Sequence, residues 1–317
     1  MSDLITNSKR NSLIEFYRFL FSFNVLIGHG FFPENIQYFG PSRVSVEFFF
    51  ILSGYFFFAS LQKIKDFTII QAVKTILVSK MKPIMIPTII GILANIVYNF
   101  ATNATLTDML KIWKYLWYIP AMMAIFVLYT VFYILIKKQS TFLIVVASIG
   151  VLATILRFSG NDVLFWFDYV RSAATISLGI LLKQIPKIKI KFKVFWWILL
   201  IPILALVYWI VKHYIVEIIW FNWFRGIEAI LDLIIYPIMI YITFQIDFNS
   251  RIFNYLGALS FGIYAYQCVG RMLLGFGVDN RYLVFWIIIS LAVIEDALKR
   301  ICKHINKKYE KGSKIKI

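Results

Sequence analysis

Glu15-Phe16-Tyr17-Arg18-Phe19-Leu20-Phe21-Ser22-Phe23-Asn24-Val25-Leu26-Ile27-Gly28-His29 is an apolar run that carries an arginine and a histidine eleven residues apart. At roughly 100° per residue, eleven helical steps return to within about 20° of the starting direction. A rise of about 1.5 Å per residue separates the two side chains by roughly 16 Å along the axis. The run therefore predicts a membrane helix with a fixed cation towards one end and a titratable imidazole towards the other, both on one face. Ionisable groups at membrane depth are costly, and each is a functional hypothesis. Glu15, three residues before Arg18, is its neighbour on the helix surface and a natural ion-pair partner.

Composition sets the class around this run. Hydrophobic residues make up 61% of the 317 positions, aromatic residues 18% and charged residues only 15%, and the mean hydropathy is +0.78. A soluble protein is usually about 45–50% apolar and about 25% charged. No polar stretch is long enough to hold a soluble core, so the chain reads as one polytopic, all-α membrane domain over residues 1–317. The two cysteines, Cys268 and Cys302, form no metal-type spacing and no disulfide framework. No metal site is expected.

Apolar segments of about 20 residues fall near 13–32, 44–61, 83–101, 116–136, 141–158, 164–182, 194–213, 226–246, 256–275 and 282–301. These predict ten transmembrane helices between residues 13 and 301, followed by a basic tail over 302–317. The first segment lacks the cleavage pattern of a signal peptide and is read as retained. Basic residues gather in alternate connections: Lys9 and Arg10; Lys63, Lys65, Lys74, Lys80 and Lys82; Lys137 and Lys138; Lys183 through Lys193; Arg251; and the tail. The positive-inside rule then places both termini in the cytoplasm. The same sorting explains the formal charge of +17. Lysines that follow topology point to anionic lipid headgroups, and nucleic acid is not an expected partner. Trp117, Trp166, Trp196 and Trp220 fall near predicted helix ends, as in an interfacial belt.

A second unusual run opens the next segment, from Arg43 through Ser45-Val46-Glu47-Phe48-Phe49-Phe50-Ile51-Leu52 to Ser53-Gly54-Tyr55. It carries Glu47 into an apolar helix. Ser53 and Gly54 form a small-residue face where another backbone or a ligand can approach closely, and with Tyr55 they are expected to serve packing or acceptor binding. Arg171 and Arg271 are further intramembrane cations for which packing or a carbonyl partner suffices. His213 and His304 read as interfacial or tail residues.

The chain resembles the acyltransferase 3 family of integral membrane acyltransferases. The resemblance rests on the acidic residue, arginine, ten residues and histidine of Glu15 to His29, and on Val46 to Tyr55. Leu116-Trp117-Tyr118-Ile119-Pro120, Ser177 to Leu182 and Leu256 to Tyr264 are also similar to the family's pattern. Four positions depart from it. Lys80 and Lys82 stand where two arginines are common, Gln267 where many relatives have histidine, and Ser45 where glycine is common. Lysine meets phosphate as a point charge without arginine's planar fork.

The resemblance implies acyl transfer, most often acetyl from acetyl-coenzyme A to a sugar hydroxyl of a cell-envelope polysaccharide or its lipid-linked precursor. No bound cofactor is implied; acetyl-coenzyme A or another acyl-coenzyme A is a substrate. His29 is the expected general base for the attacking hydroxyl. Arg18, oriented by Glu15, is expected to hold the donor or to favour developing negative charge, with Lys80 and Lys82 as further donor contacts. Glu47 is available to orient His29 or to bind the acceptor. The competing expectation is a translocator of a glycan or lipid-linked sugar that performs no covalent chemistry.

Overall fold

The computed structural model describes residues 11–31, 42–102, 116–158, 167–187 and 231–313, with the side chains of 42–44, 158, 167, 231 and 306–313 left aside. The predicted seventh segment, 194–213, lies outside them. Every element among the described residues is helical. They are α1 (Ser12–Gly28), α2 (Ser42–Leu61), α3 (Ile69–Met81), α4 (Met85–Ala101), α5 (Tyr118–Ile136), α6 (Gln139–Phe158), α7 (Phe167–Leu182), α8 (Tyr236–Thr243), α9 (Arg251–Gly275) and α10 (Arg281–Ser313). A 3₁₀ turn, Gln62–Ile64, ends α2, and a π-helical turn, Leu231–Ile235, leads into α8.

The start of α1 is fixed locally. The Asn11 side chain accepts from the backbone N–H groups of Leu13 and Ile14, satisfying two orphan donors of the first turn. Its amide donates to the carbonyls of Thr243 and Ile246 at 2.8 and 2.9 Å, which ties α1 to the end of α8. From there α1 lies along α9 in constant register. Ser12 meets Asn254, Glu15 lies against Gly257, and His29 meets Arg271; 254 − 12, 257 − 15 and 271 − 29 all equal 242. The two helices are parallel.

Other contacts set the remaining directions. Phe21 stacks on Phe48 at 4.2 Å and Asn24 donates to Ser45 at 2.7 Å, so α1 and α2 are antiparallel. Ser53 with Tyr118 and Phe57 with Phe126 make α2 parallel to α5. Phe48 with Tyr236 and Tyr55 with Phe244 make it parallel to α8. Glycines bring α2 and α7 almost into backbone contact. A Cβ on Gly54 would lie 2.2 Å from the Ile176 carbonyl oxygen, and one on Gly179 would lie 2.0 Å from that of Ile51. With Glu47 bound to Arg171, this pair is parallel too. Gly150 against Ser177 and Gln139 against Gln184 set α6 antiparallel to α7. Gly91 against Ala265 and Tyr98 against Gly275 set α4 parallel to α9, while Gly262 against Ala292 and Gly270 against Ile288 set α10 antiparallel to it.

Thus α1, α4, α6 and α9 run one way and α2, α5, α7, α8 and α10 the other. These are the directions of the odd and even segments expected from the sequence. Lys63, Lys80, Lys137, Lys183, Arg251 and Lys299 consequently share one end of the bundle, and His29 and Arg271 lie at the other.

Three described helical stretches are long and apolar enough to cross a bilayer alone: Ser45–Ile64, Tyr118–Ile136 and Gln139–Arg157; a fourth follows if α3 and α4, bent by 72°, count as one. The helix α1, with 17 residues, is shorter than the usual 20. Like α9 it buries polar groups, Ser12 and Glu15 in one and Ser260 and Gln267 in the other, against protein. By contrast, Ile86, Ile89, Leu93, Val97 and Phe100 of α4 and Ile144, Val151 and Ile155 of α6 are exposed. Such apolar faces suit lipid and are costly in water.

The basic connection between the second and third expected spans holds a helix that the span reading does not include. Thr68 accepts from the Gln71 N–H while the Gln71 side chain accepts from the Thr68 N–H, a capping box that starts α3. The expected basic tail also begins inside a helix, since α10 continues to Ser313.

Candidate functional site

The Arg18 guanidinium donates to Glu15 at 2.8 Å. Glu15 is 8% exposed and is pressed against α9, where a Cβ on Gly257 would lie 2.2 Å from its Oε2. Only glycine there lets α9 approach closely enough to enclose the carboxylate. Held by this pairing, Arg18 lines a cavity of about 260 Å³.

Ser53, Lys80, Tyr118, Ser260 and Tyr264 supply the other polar walls of this cavity, and Val46, Phe49, Leu52, Phe56, Met122 and Phe126 are among the apolar ones. Ser53 and Tyr118 are joined through their hydroxyls at 3.0 Å. Lys80 donates to Ser60 at 3.0 Å. The cavity thus has two cations and a largely apolar interior that includes several aromatic rings, which suits a ligand with an anionic part and an apolar part. Of the two lysines expected to contact a donor, Lys80 lines the cavity. Lys82 is exposed and is not among the lining residues.

His29 caps the C-terminal end of α1 and is partly exposed. Its Nδ1 lies 3.1 Å from Nη2 of Arg271. A guanidinium has donors only, so Nδ1 accepts and the neutral ring carries its proton on Nε2. The contact follows from the constant register of α1 on α9.

Glu47 has other partners. Arg157 donates to its Oε1 at 2.7 Å, and Nε of Arg171 donates to the same oxygen at 2.8 Å. Arg157 also donates to Asp232 at 2.7 Å. These four side chains come from α2, α6, α7 and the π-helical turn, and none is more than 5% exposed. Two arginines and two acidic residues meet out of water, where removing one partner of a buried ion pair is costly. The Arg171 guanidinium also lies 5.4 Å from the centroid of the Trp117 ring. Glu47 therefore serves the bundle's internal charge balance, and the structure pairs His29 with Arg271.

Sequence reasoning missed Arg157 and Asp232 as partners. Arg157 lies near the end of the expected segment 141–158, and in the structure it is buried near the end of α6. The signal for Asp232 was a lone carboxylate inside Leu231-Asp232-Leu233-Ile234-Ile235. The Ser53-Gly54-Tyr55 triplet divides by direction. Ser53 faces the cavity, and Gly54 is filled by the Ile176 backbone. Tyr55 stacks on Phe244 at 4.3 Å with the Lys183 ammonium 4.5 Å from its ring centroid. Beyond the end of α7, partial burial and neighbouring Lys187 push the Lys183 ammonium below the usual lysine range. Among the described residues no cluster of three or more His, Cys, Asp or Glu offers a metal site.

A helical bundle with lipid-suited faces, a basic cavity and a histidine at the far end of the helix that lines it has the features of a membrane protein with a ligand site. Residues 12–294 match the family model described as an acyltransferase domain, and the chain belongs to the acyltransferase 3 family. It is a membrane acyltransferase in that general sense. Neither curated proteins nor solved structures give a match.

Proposed function

We propose that the protein transfers an acetyl group from acetyl-coenzyme A to a sugar hydroxyl of a cell-surface polysaccharide or its lipid-linked precursor, with His29 as general base. The observation that carries this reading is the division of labour along α1. Arg18 lines a basic cavity together with Lys80, and His29 stands eleven residues further on, partly exposed at the other end of the helix. In this reading the donor's phosphates meet Lys80 and Arg18, and its thioester reaches along the largely apolar interior. The acceptor hydroxyl loses its proton to His29 as its oxygen bonds to the acyl carbon. The carbon–sulfur bond breaks, and the thiolate leaves to be protonated in turn. A positioned base of this kind contributes typically about 10²–10⁴-fold.

The domain is read as a ten-helix, multi-pass protein of a bacterial cytoplasmic membrane with both termini in the cytoplasm. Support comes from the alternating helix directions and from the lysines gathered at one end. Partners are the acyl-coenzyme A, the glycan acceptor and the bilayer.

The test is envelope-glycan ester content and glycan export in a strain with and without the gene. Loss of esters with export intact is expected. Intact esters with export stopped would instead establish the translocator.

A further inference from the structure

We infer that Arg271 is a positioning residue that holds His29 in a resting state and is drawn off it by an anionic group, phosphate or carboxylate, on the acceptor. The inference rests on the reading of His29 as base. Nη2 of Arg271 lies 3.1 Å from Nδ1 of His29, so that nitrogen's lone pair is engaged while Nε2 carries the ring proton. A ring in this tautomer has one place to accept a proton, Nδ1, and the guanidinium occupies it. Acyl transfer then needs Arg271 to let go. The hydroxyl proton moves to Nδ1, the hydroxyl oxygen bonds to the acyl carbon, the carbon–sulfur bond breaks, and the thiolate takes a proton back from the imidazolium.

An anion is the group suited to releasing the contact. A guanidinium forms two parallel, charge-assisted bonds to a carboxylate or phosphate and only one bond to a neutral imidazole nitrogen. Both residues are partly exposed at the end of the bundle opposite the lysines, where an acceptor is expected to arrive. The register of α1 on α9 leaves little freedom in the helices themselves, because Gly257 and Gly270 bring the backbone of α9 hard against Glu15 and Phe31. Release is therefore a side-chain motion of Arg271. An acceptor lacking the anion leaves the base engaged, so specificity and activation become one event.

The chain has three histidines, so ¹⁵N-histidine labelling of the full protein in lipid nanodiscs reads His29 directly, assigned by its loss in His29→Gln. The expected resting spectrum shows a protonated Nε2 and a hydrogen-bonded, unprotonated Nδ1. Adding methyl phosphate or methyl glucuronide should shift the Nδ1 resonance away from its hydrogen-bonded position, while neutral methyl glucoside should not. A response to methyl phosphate alone identifies a phosphate-bearing acceptor, and one to the glucuronide alone a carboxylate-bearing acceptor. Arg271→Gln should remove the resting Nδ1 signature and the anion response together. Silence towards both anions, an equal response to the neutral glycoside, or a response that survives Arg271→Gln would overturn the inference. The wild-type titrations decide even if the variant misfolds. Full acylation by His29→Ala would defeat the base reading and leave this anion response to be judged separately.

Discussion

Arg18 and Lys80 both reach the cavity, but their chemistry differs. Arg18 is held by Glu15 and presents a planar fork, whereas Lys80 presents a point charge. Arg18→Lys keeps the charge and loses the bidentate contact. The expected result is a rise of about tenfold or more in the donor's KM, the scale of one charge-assisted hydrogen bond of roughly 1.5–3 kcal/mol. Titrating purified protein with acyl-coenzyme A checks this, and an unchanged donor affinity removes the fork from the account. Lys80→Met should weaken donor binding more at low salt than at high salt, because an exposed ligand phosphate is screened. The pairing of Arg18 with Glu15 was legible in the sequence because both lie on one helix, three residues apart. The partner of His29 was not. Arg271 is 242 positions away, and only the register of α1 on α9 brings the two together.

Helix contacts explain what holds these residues in place. Gly54 and Gly179 let α2 and α7 meet through their backbones, so Gly54→Ala must push against the Ile176 carbonyl with no side chain to yield. Overpacking of this kind costs about 1–3 kcal/mol, and a lowered thermal midpoint in detergent is the expected readout. The Glu47–Arg157–Arg171–Asp232 cluster joins the same helices through charge. Glu47→Ala removes the buried carboxylate that Arg157 and Arg171 share, and the expected loss is about 3–5 kcal/mol. An unchanged midpoint would mean the cluster carries no structural load. The sequence exposed Glu47 because a carboxylate inside Val46-Glu47-Phe48-Phe49-Phe50 stands out. It gave no indication of which cation would answer it, since Arg157 and Arg171 lie on two other helices. The helix α3 was hidden differently: its lysines marked a connection, and the Thr68–Gln71 capping box that starts it is a local signal that a search for spans passes over.

For the molecule as a whole, the sorting of basic residues anticipated the directions of the described helices, because the positive-inside rule reads connections and needs no packing detail. Internal arrangement lay beyond it. Charge sorting gives the sense of α1 and α9 but not that they are neighbours. The chain contains one natural reporter of sidedness: Cys302 is exposed and Cys268 is buried. With both termini in the cytoplasm, a membrane-impermeant thiol reagent should label Cys302 in inverted vesicles and leave it unlabelled in intact spheroplasts. Labelling in spheroplasts would reverse the topology and with it the assignment of donor and acceptor ends. The central claim is that His29 takes the acceptor's proton at the end of α1 opposite the donor cavity. The most direct measurement is envelope-glycan ester content in a deletion strain carrying wild-type or His29→Ala protein at equal abundance. The account predicts that esters return with the wild type and stay at the deletion level with His29→Ala; full restoration by His29→Ala would contradict it.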